Sequence, residues 1–474
     1  MTSRTKIILG PPGTGKTTRL MDIMQEEFAN GCTPDKMVYC SFTKKAVEEA
    51  IERATDRFNF TKADMMYFKT IHSLAFNSLG LRRDQVMQNK DYKKIGAHLG
   101  LVFSNKTDFS SDALPGTKYN GDQYTFIEGF SRARHISPRQ VWDIVNHDNL
   151  NWYEFKRYQD TLIEYKKKYA LFDFADMLEQ ASTALNVDVV IIDEAQDLST
   201  AQWHFIRNFT KNAKRVYIGG DDDQAIFSWS GADVNQFLNL DGDREVLHQS
   251  YRIPKAIHIL AEQLTSKIKQ RTKKHYLPQA KSGAVEYWNN VDHLDLTSGT
   301  WLLLARNSYL LNELSASMKQ RGVAYAIRGN STIGSAHVRA IKCWEQWRKG
   351  KTLDESDEIL IQEYLQPGCT KWPKDKIWHE AFVQMPPEDR EYYISLLRRG
   401  ESLSKNPRIN ISTIHGIKGG EADHVALLTD MAMSTHEASA IDPDSEHRVW
   451  YVGATRCKET LNIIMPRGRY HYSL

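Results

Sequence analysis

The chain has 474 residues, enough for about three domains at roughly 150 residues each. Hydrophobic residues make up 41% and charged residues 26%, which excludes a collagen-like, coiled-coil or wholly disordered chain. Lys plus Arg (62) barely exceed Asp plus Glu (59), so the net charge is +3 and any basic surface must be local. No run approaches the roughly 18 apolar residues of a membrane span. Near the N-terminus, Lys6–Leu9 is cut short by Gly10-Pro-Pro-Gly13, which leaves no signal core. A cytoplasmic chain without a membrane partner is expected. Cys32, Cys40, Cys343, Cys369 and Cys457 form no CxxC pair, so reduced thiols are expected rather than a zinc knuckle or a disulfide framework.

Short apolar runs predict buried parallel strands. In chain order they are Lys6–Leu9, Met37–Phe42, Val187–Ile192, Arg215–Ile218, Trp301–Ala305, Ile409–Thr413, Val425–Leu428 and Leu461–Met465. Helical patterns such as Lys44–Arg57 and Tyr309–Arg321 lie between them. The alternation predicts an α/β fold with two doubly wound parallel sheets. Two stretches break it. Residues 77–169 read as helical or irregular, with turn signals at Leu114-Pro-Gly116 and Asn120-Gly121. Residues 335–404 are again mostly helical, broken at Gln366-Pro-Gly368 and Met385-Pro-Pro387. The expected domains are therefore 1–76 plus 170–247, carrying an insertion over 77–169, and 248–334 plus 405–474, carrying a smaller insertion over 335–404.

Gly10-Pro11-Pro12-Gly13-Thr14-Gly15-Lys16-Thr17 has the spacing GxxxxGK[ST] after a predicted strand and before a predicted helix. Glycines let backbone amides turn toward phosphate oxygens, and the helix N-terminus adds positive potential. Lys16 is expected to reach the β and γ phosphates and Thr17 to ligate Mg²⁺. Val189-Val-Ile-Ile-Asp-Glu194 is an apolar strand ending in two carboxylates. Alone, such a pair is usually a solvated loop. Beside a phosphate loop, Asp193 is expected to hold Mg²⁺ and Glu194 to orient and deprotonate the attacking water. These residues indicate a nucleoside triphosphate, without saying what its energy does.

The acidic pair continues as Asp193-Glu-Ala-Gln-Asp197, followed by Gly219-Gly-Asp-Asp-Asp-Gln-Ala-Ile-Phe-Ser-Trp-Ser-Gly-Ala232. Then come Gln249-Ser-Tyr-Arg252, Thr413-Ile-His-Gly-Ile-Lys-Gly-Gly-Glu421 and Tyr451-Val-Gly-Ala-Thr-Arg456. In this order the set resembles the UvrD/Rep group of superfamily 1 DNA helicases, over roughly residues 6–76, 170–335 and 405–465. The resemblance implies two RecA-like lobes, ATP with Mg²⁺, and a catalytic set of Lys16, Glu194, Gln224, Arg252 and Arg456. Gln224 corresponds to the glutamine that senses the γ-phosphate and couples it to DNA. Arg252 and Arg456 correspond to arginines of the second lobe that stabilise the transferring phosphoryl group when the lobes close. Tyr251 resembles the tyrosine that stacks on adenine, Glu421 the ribose contact, and Thr18 and Arg19 follow the phosphate-loop lysine near the base.

A single-strand track needs aromatic platforms and a basic groove. By resemblance, Phe42 is a stacking ring with Thr43 and Lys44 near phosphates, and Thr70 and His72 form the next contact. Phe227 and Trp229 are the aromatic pair after Gln224, and Arg306 and His415 extend the track on the second lobe. Asp173-Phe-Ala-Asp-Met-Leu178 resembles a further short family motif. Between Glu262 and Glu286 no acid occurs, while Lys267, Lys269, Arg271, Lys273, Lys274 and Lys281 do. This stretch reads either as a duplex-phosphate contact or as a solvated helix face.

Several positions depart from the family pattern. Nine residues precede Gly10, without the family's adenine-reading glutamine helix, so base selectivity is open. Thr18 and Ser230 stand where arginines are common, and Gly420 where an apolar residue is common. The second insertion is much smaller than the family's accessory domain, a size that fits a bacteriophage or mobile element. The expectation is a monomeric, 3′-to-5′ single-strand translocase and DNA helicase. It would act at single/double-strand junctions in replication or repair, alongside proteins of those pathways. The alternative is an ATP-gated DNA-binding or loader module without processive unwinding.

Overall fold

The computed structural model describes residues 4–104, 119–144, 150–181 and 184–474. By its contacts the chain divides into two compact units, Met1–Ser282 with Ser434–Thr455, and Gly283–Met433 with Arg456–Leu474.

The first unit is built on strands β1 (Thr5–Leu9), β2 (Met37–Ser41), β3 (Phe68–Thr70), β4 (Val189–Asp193), β5 (Arg215–Gly220) and β6 (Asp243–Val246). Their order is β3-β2-β4-β5-β1-β6, and every pairing is parallel. Successive side chains on a strand face opposite sides. Ile7, Leu9, Val190 and Ile192 accordingly enter one core, while Ile8, Val189 and Ile191 enter the core on the other face. A sheet covered on both faces explains the unbroken apolar runs. Because all six strands run the same way, the loops after β1, β2, β3, β4 and β5 emerge along one edge, where ligands of open α/β sheets bind.

The first insertion carries its own core. Tyr124, Ile127, Trp142, Phe155, Tyr158 and Leu162 bring together helices Asn120–Arg134, Pro138–Ile144 and Trp152–Tyr169. The turn expected at Leu114-Pro-Gly116 lies outside the described residues. The one expected at Asn120-Gly121 is instead the start of a helix, where Asn120 Oδ1 accepts the Gly121 N–H at 3.0 Å. An Asn side chain serves a helix start as readily as a turn.

The second unit contains β7 (Ala284–Trp288), β8 (Trp301–Ala305), β9 (Tyr325–Ile327), β10 (Asn330–Ser331), β11 (Ile409–Thr413), β12 (Ala422–Leu428) and β13 (Cys457–Ile464). Their order is β10-β9-β11-β8-β12-β13-β7, parallel except for the short β9–β10 pair. Residues of the second helical stretch, among them Trp344, Trp378, Phe382 and Leu396, join Leu303, Ile411 and Leu428 in one cluster. This stretch therefore shares the sheet's core.

The contact division differs from the expected boundary at 248–282 and 434–455, which group with the first unit. Polar anchors account for this. Ser250 Oγ donates to Pro12 O at 2.7 Å, and Arg448 Nε donates to Asp222 O at 2.9 Å.

Candidate nucleotide and nucleic-acid site

The loop after β1 packs tightly on its own helix. A Cβ on Gly10 would lie 2.6 Å from Lys16 Cβ. Gly13 has φ +72°, a backbone that favours glycine, and a Cβ there would lie 2.3 Å from Arg252 Cβ. Pro11 and Pro12 are buried, and Thr14 Oγ1 closes the turn on Pro11 O at 2.8 Å. Gly15 caps helix Lys16–Ala29 in the left-handed region.

Lys16 Nζ lies 3.2 Å from Asp193 Oδ1 and also hydrogen-bonds Glu194. Burial opposes the charge on Lys16, but Asp193 and Glu194 outweigh it and hold the ammonium protonated above the ordinary lysine range. Thr17 Oγ1 approaches Asp193 Oδ2 at 3.4 Å, and Tyr39 OH donates to the same oxygen at 3.0 Å. Burial, followed by the charge of Asp193, pushes the Tyr39 phenol well up, so it remains a donor. Thr17 and Asp193 thus form a pair of hard oxygen donors suited to Mg²⁺, which usually keeps several waters and takes few protein ligands. Among the described residues no cluster of three or more His, Cys, Asp or Glu forms a metal cage.

Glu194 adopts φ 54°, ψ 38°, uncommon for a residue with a side chain. Its Oε2 accepts from Gln196 Nε2 at 2.6 Å. Gln196 is fully buried, and its Oε1 accepts the Asp221 N–H at 3.0 Å. Asp221 Oδ2 in turn accepts from Gln224 Nε2 at 2.7 Å. A continuous set of contacts therefore runs from Lys16 to Gln224.

Arg252 lies in the first unit, beside the phosphate loop. The Tyr251 N–H donates to Gly13 O at 2.8 Å, while the Tyr251 ring is 75% exposed. Thr18 is exposed. Arg19 pairs with Glu245 (2.9 Å) and Glu26 (2.8 Å), so its guanidinium is held by carboxylates. Arg456 is buried in the second unit, and Glu421, on that unit's surface, pairs with Lys458 at 2.6 Å.

The track candidates of the first unit sit on the same sheet edge as the phosphate loop. Phe42 follows β2, and its ring lies 5.4 Å from Phe227, which is 6.2 Å from Trp229. Thr43 and Thr70 each cap a helix, accepting from Ala46 N (3.2 Å) and Ser73 N (3.3 Å). Lys44 is exposed and pairs with Glu48 at 3.4 Å. His72 packs edge-on against Phe174 at 5.3 Å, and burial pushes its imidazole down to about 4, so it is neutral at physiological pH. Arg306 and His415 are both buried in the second unit.

Sequence reasoning left several site neighbours unassigned. Gln196 stands within the Asp193–Asp197 motif and Tyr39 within β2, but the motif gives neither a role, since each acts through a partner further along the chain, Asp221 for Gln196 and Asp193 for Tyr39. Phe174 is 62% exposed and, with Tyr92, Phe126, Phe130, Arg132 and Trp229, lines a cavity of about 250 Å³. It lies within the short motif recognised at 173–178, which was the available signal.

A parallel sheet with this loop after its first strand, and an acidic pair at the end of β4, which is separated from β1 by β5, defines the P-loop NTPase class. Residues 1–245 match the UvrD/REP helicase N-terminal domain, and residues 392–468 match the UvrD-like helicase C-terminal domain. The chain belongs to the UvrD/Rep helicase family, and its two sheets are those of two RecA-like lobes. It is similar to the ATP-dependent DNA helicase Rep of Buchnera aphidicola, 22% identical over 304 residues, covering 60% of this chain and 45% of that protein. It is 23% identical over 394 residues to the ATP-dependent DNA helicase srs2 of Schizosaccharomyces pombe (68% and 42%). With the ATP-dependent DNA helicase PcrA of Staphylococcus epidermidis it shares 23% over 322 residues (61% and 42%). The chain spans about half the length of the relatives it matches.

Proposed function

We propose that the chain is an ATP-dependent single-stranded DNA translocase and DNA helicase, moving 3′ to 5′ as its family resemblance implies. The observation that carries this reading is the loop after β5. It holds Gln224, joined through Asp221, Gln196 and Glu194 to Lys16, and a few residues further on it holds Phe227 and Trp229. One short segment thus joins a phosphate sensor to a ring platform, and a shift at one end moves the other.

In this reading Lys16 exchanges carboxylate contacts for phosphate oxygens. Glu194, then freed from the ammonium, orients and deprotonates the attacking water. Arg252, seated against Gly13, stabilises the phosphoryl charge. Thr17 and Asp193 would hold Mg²⁺, which would supply neutralisation of phosphate charge. Arg456 and Glu421 bring the second lobe's arginine and ribose contact when the lobes close. Phe42, Phe227 and Trp229 stack bases. The N-termini of the helices capped by Thr43 and Thr70 receive backbone phosphates. His72 acts as an uncharged contact, and Arg306 and His415 continue the track in the second lobe. The domain boundaries proposed from the sequence, the monomeric state and a cytoplasmic role in replication or repair belong to the same reading.

Two measurements test it. ATP turnover should rise on adding single-stranded DNA. Strand displacement should proceed on a duplex with a 3′ tail and fail on one with a 5′ tail. DNA-independent turnover, or none, would overturn the reading.

A further inference from the structure

Asp221, Asp222 and Asp223 are consecutive and almost completely buried. Three adjacent carboxylates cannot stay charged inside a protein without cations and hydrogen bonds directed at them. The cations come from the basic stretch that the sequence left ambiguous. Lys274 Nζ lies 2.8 Å from Asp221 Oδ1, 2.5 Å from Asp222 Oδ1 and 3.0 Å from Asp223 Oδ2, with its side chain 1% exposed. Arg271 forms a two-pronged pair with Asp223 at 2.7 and 2.6 Å. The Thr272 N–H donates to Asp222 Oδ2 at 2.7 Å. Lys274 is therefore neither a phosphate contact nor a solvated charge.

Its place in the site follows from Asp221. One carboxylate oxygen of Asp221 takes the Lys274 ammonium, and the other takes the Gln224 amide at 2.7 Å. Without the ammonium, the buried Asp221 carboxylate would turn to another donor or draw the Gln224 amide closer. Either change alters the acceptor that holds Gln224. We propose that Lys274 is a positioning residue for nucleotide hydrolysis, acting through Asp221 to hold the Gln224 side chain in place. This rests on the reading of Gln224 as the γ-phosphate sensor. It assigns the segment around 271–274 a mechanical part, because a displacement there is felt at Gln224 without any contact between Lys274 and nucleotide.

The test compares the wild-type chain with Lys274→Met, Lys274→Arg and the charge-reduced pair Lys274→Met/Asp222→Asn. The pair is included because it removes one buried carboxylate along with the ammonium, should the single variant fail to fold. DNA-stimulated kcat, the KM for ATP, single-strand Kd and thermal unfolding are measured for each. For the folded methionine variants, kcat should fall about 10- to 100-fold while KM and Kd change less than about threefold. Lys274→Arg should recover part of kcat. In a Gln224→Ala background, Lys274→Met should lower kcat less than about twofold further, because the two changes act on one group. Independent, multiplying effects in that cycle, or loss of thermal stability with unchanged kcat, would overturn the proposal and make Lys274 purely structural. If wild type itself lacks DNA-stimulated turnover, it is the helicase reading that fails.

Discussion

Replacing Gly13 by alanine probes the contact between the phosphate loop and Arg252. The added Cβ would lie 2.3 Å from Arg252 Cβ, where contacts under 3.0 Å are essentially never seen, so something must move by about 1 Å. The Arg252 side is poorly placed to yield. Ser250 Oγ is bonded to Pro12 O (2.7 Å), Tyr251 N to Gly13 O (2.8 Å) and Gln279 Nε2 to Arg252 O (2.7 Å). The left-handed φ of +72° adds roughly 1–2 kcal/mol for a residue with a Cβ. A reacting group displaced by about 1 Å loses on the order of 100-fold in rate, or roughly 2.7 kcal/mol of barrier. Gly13→Ala should therefore melt several degrees lower and turn over ATP about 100-fold more slowly in the presence of single-stranded DNA. Steady-state ATPase assays and thermal unfolding measure both. A Gly13→Ala protein with kcat within about twofold of wild type would show that Arg252 does not need its observed seat.

Other perturbations separate the parts of the site. Trp229→Ala should weaken single-strand binding by about 1–3 kcal/mol, roughly 5- to 150-fold in Kd, and reduce DNA stimulation of the ATPase with it. Fluorescence anisotropy with a labelled oligonucleotide reads this, and an unchanged Kd would refute the stacking role. Lys16→Ala should abolish ATP turnover while leaving single-strand affinity within about threefold, since Lys16 faces Asp193 and Glu194. His72 makes stability depend on acid. Its folded value of about 4 lies below the ordinary 6.5, so below pH 6.5 the unfolded chain binds a proton that the folded chain refuses. The penalty is absent above that pH and grows toward pH 4, at up to roughly 1.4 kcal/mol per pH unit. Urea titrations of wild type and His72→Gln should diverge as pH falls through this window, and curves that stay parallel would contradict the assignment.

The eight apolar runs read from the sequence all appear as strands, because a strand buried on both faces advertises itself as a continuous apolar run. The strands not anticipated are short or polar. β6 and β7 lie at sheet edges and are incompletely buried, β6 beginning Asp243-Arg244-Glu245 and β7 carrying Glu286, while β3, β9 and β10 have three residues or fewer. Asn120-Gly121 misled because the same side-chain acceptor serves a turn and a helix start. In the site, residues with a fixed local spacing were legible. Those defined by distant partners were not. Lys274 looked like an uncompensated base because its acids lie some fifty residues earlier, at 221–223.

The backbone of Glu194 has a consequence for engineering. A carboxylate-bearing residue held at φ 54° carries a conformational penalty of roughly 1–2 kcal/mol that glycine would not. Glycine at 194 would still leave the phosphate-loop lysine beside Asp193. Glycine would relieve that penalty but would also remove a carboxylate that offsets the buried Lys16 ammonium and accepts from Gln196, so heat resistance alone is a poor guide at this position. Thermostabilisation of this scaffold calls for selection that scores turnover in every round.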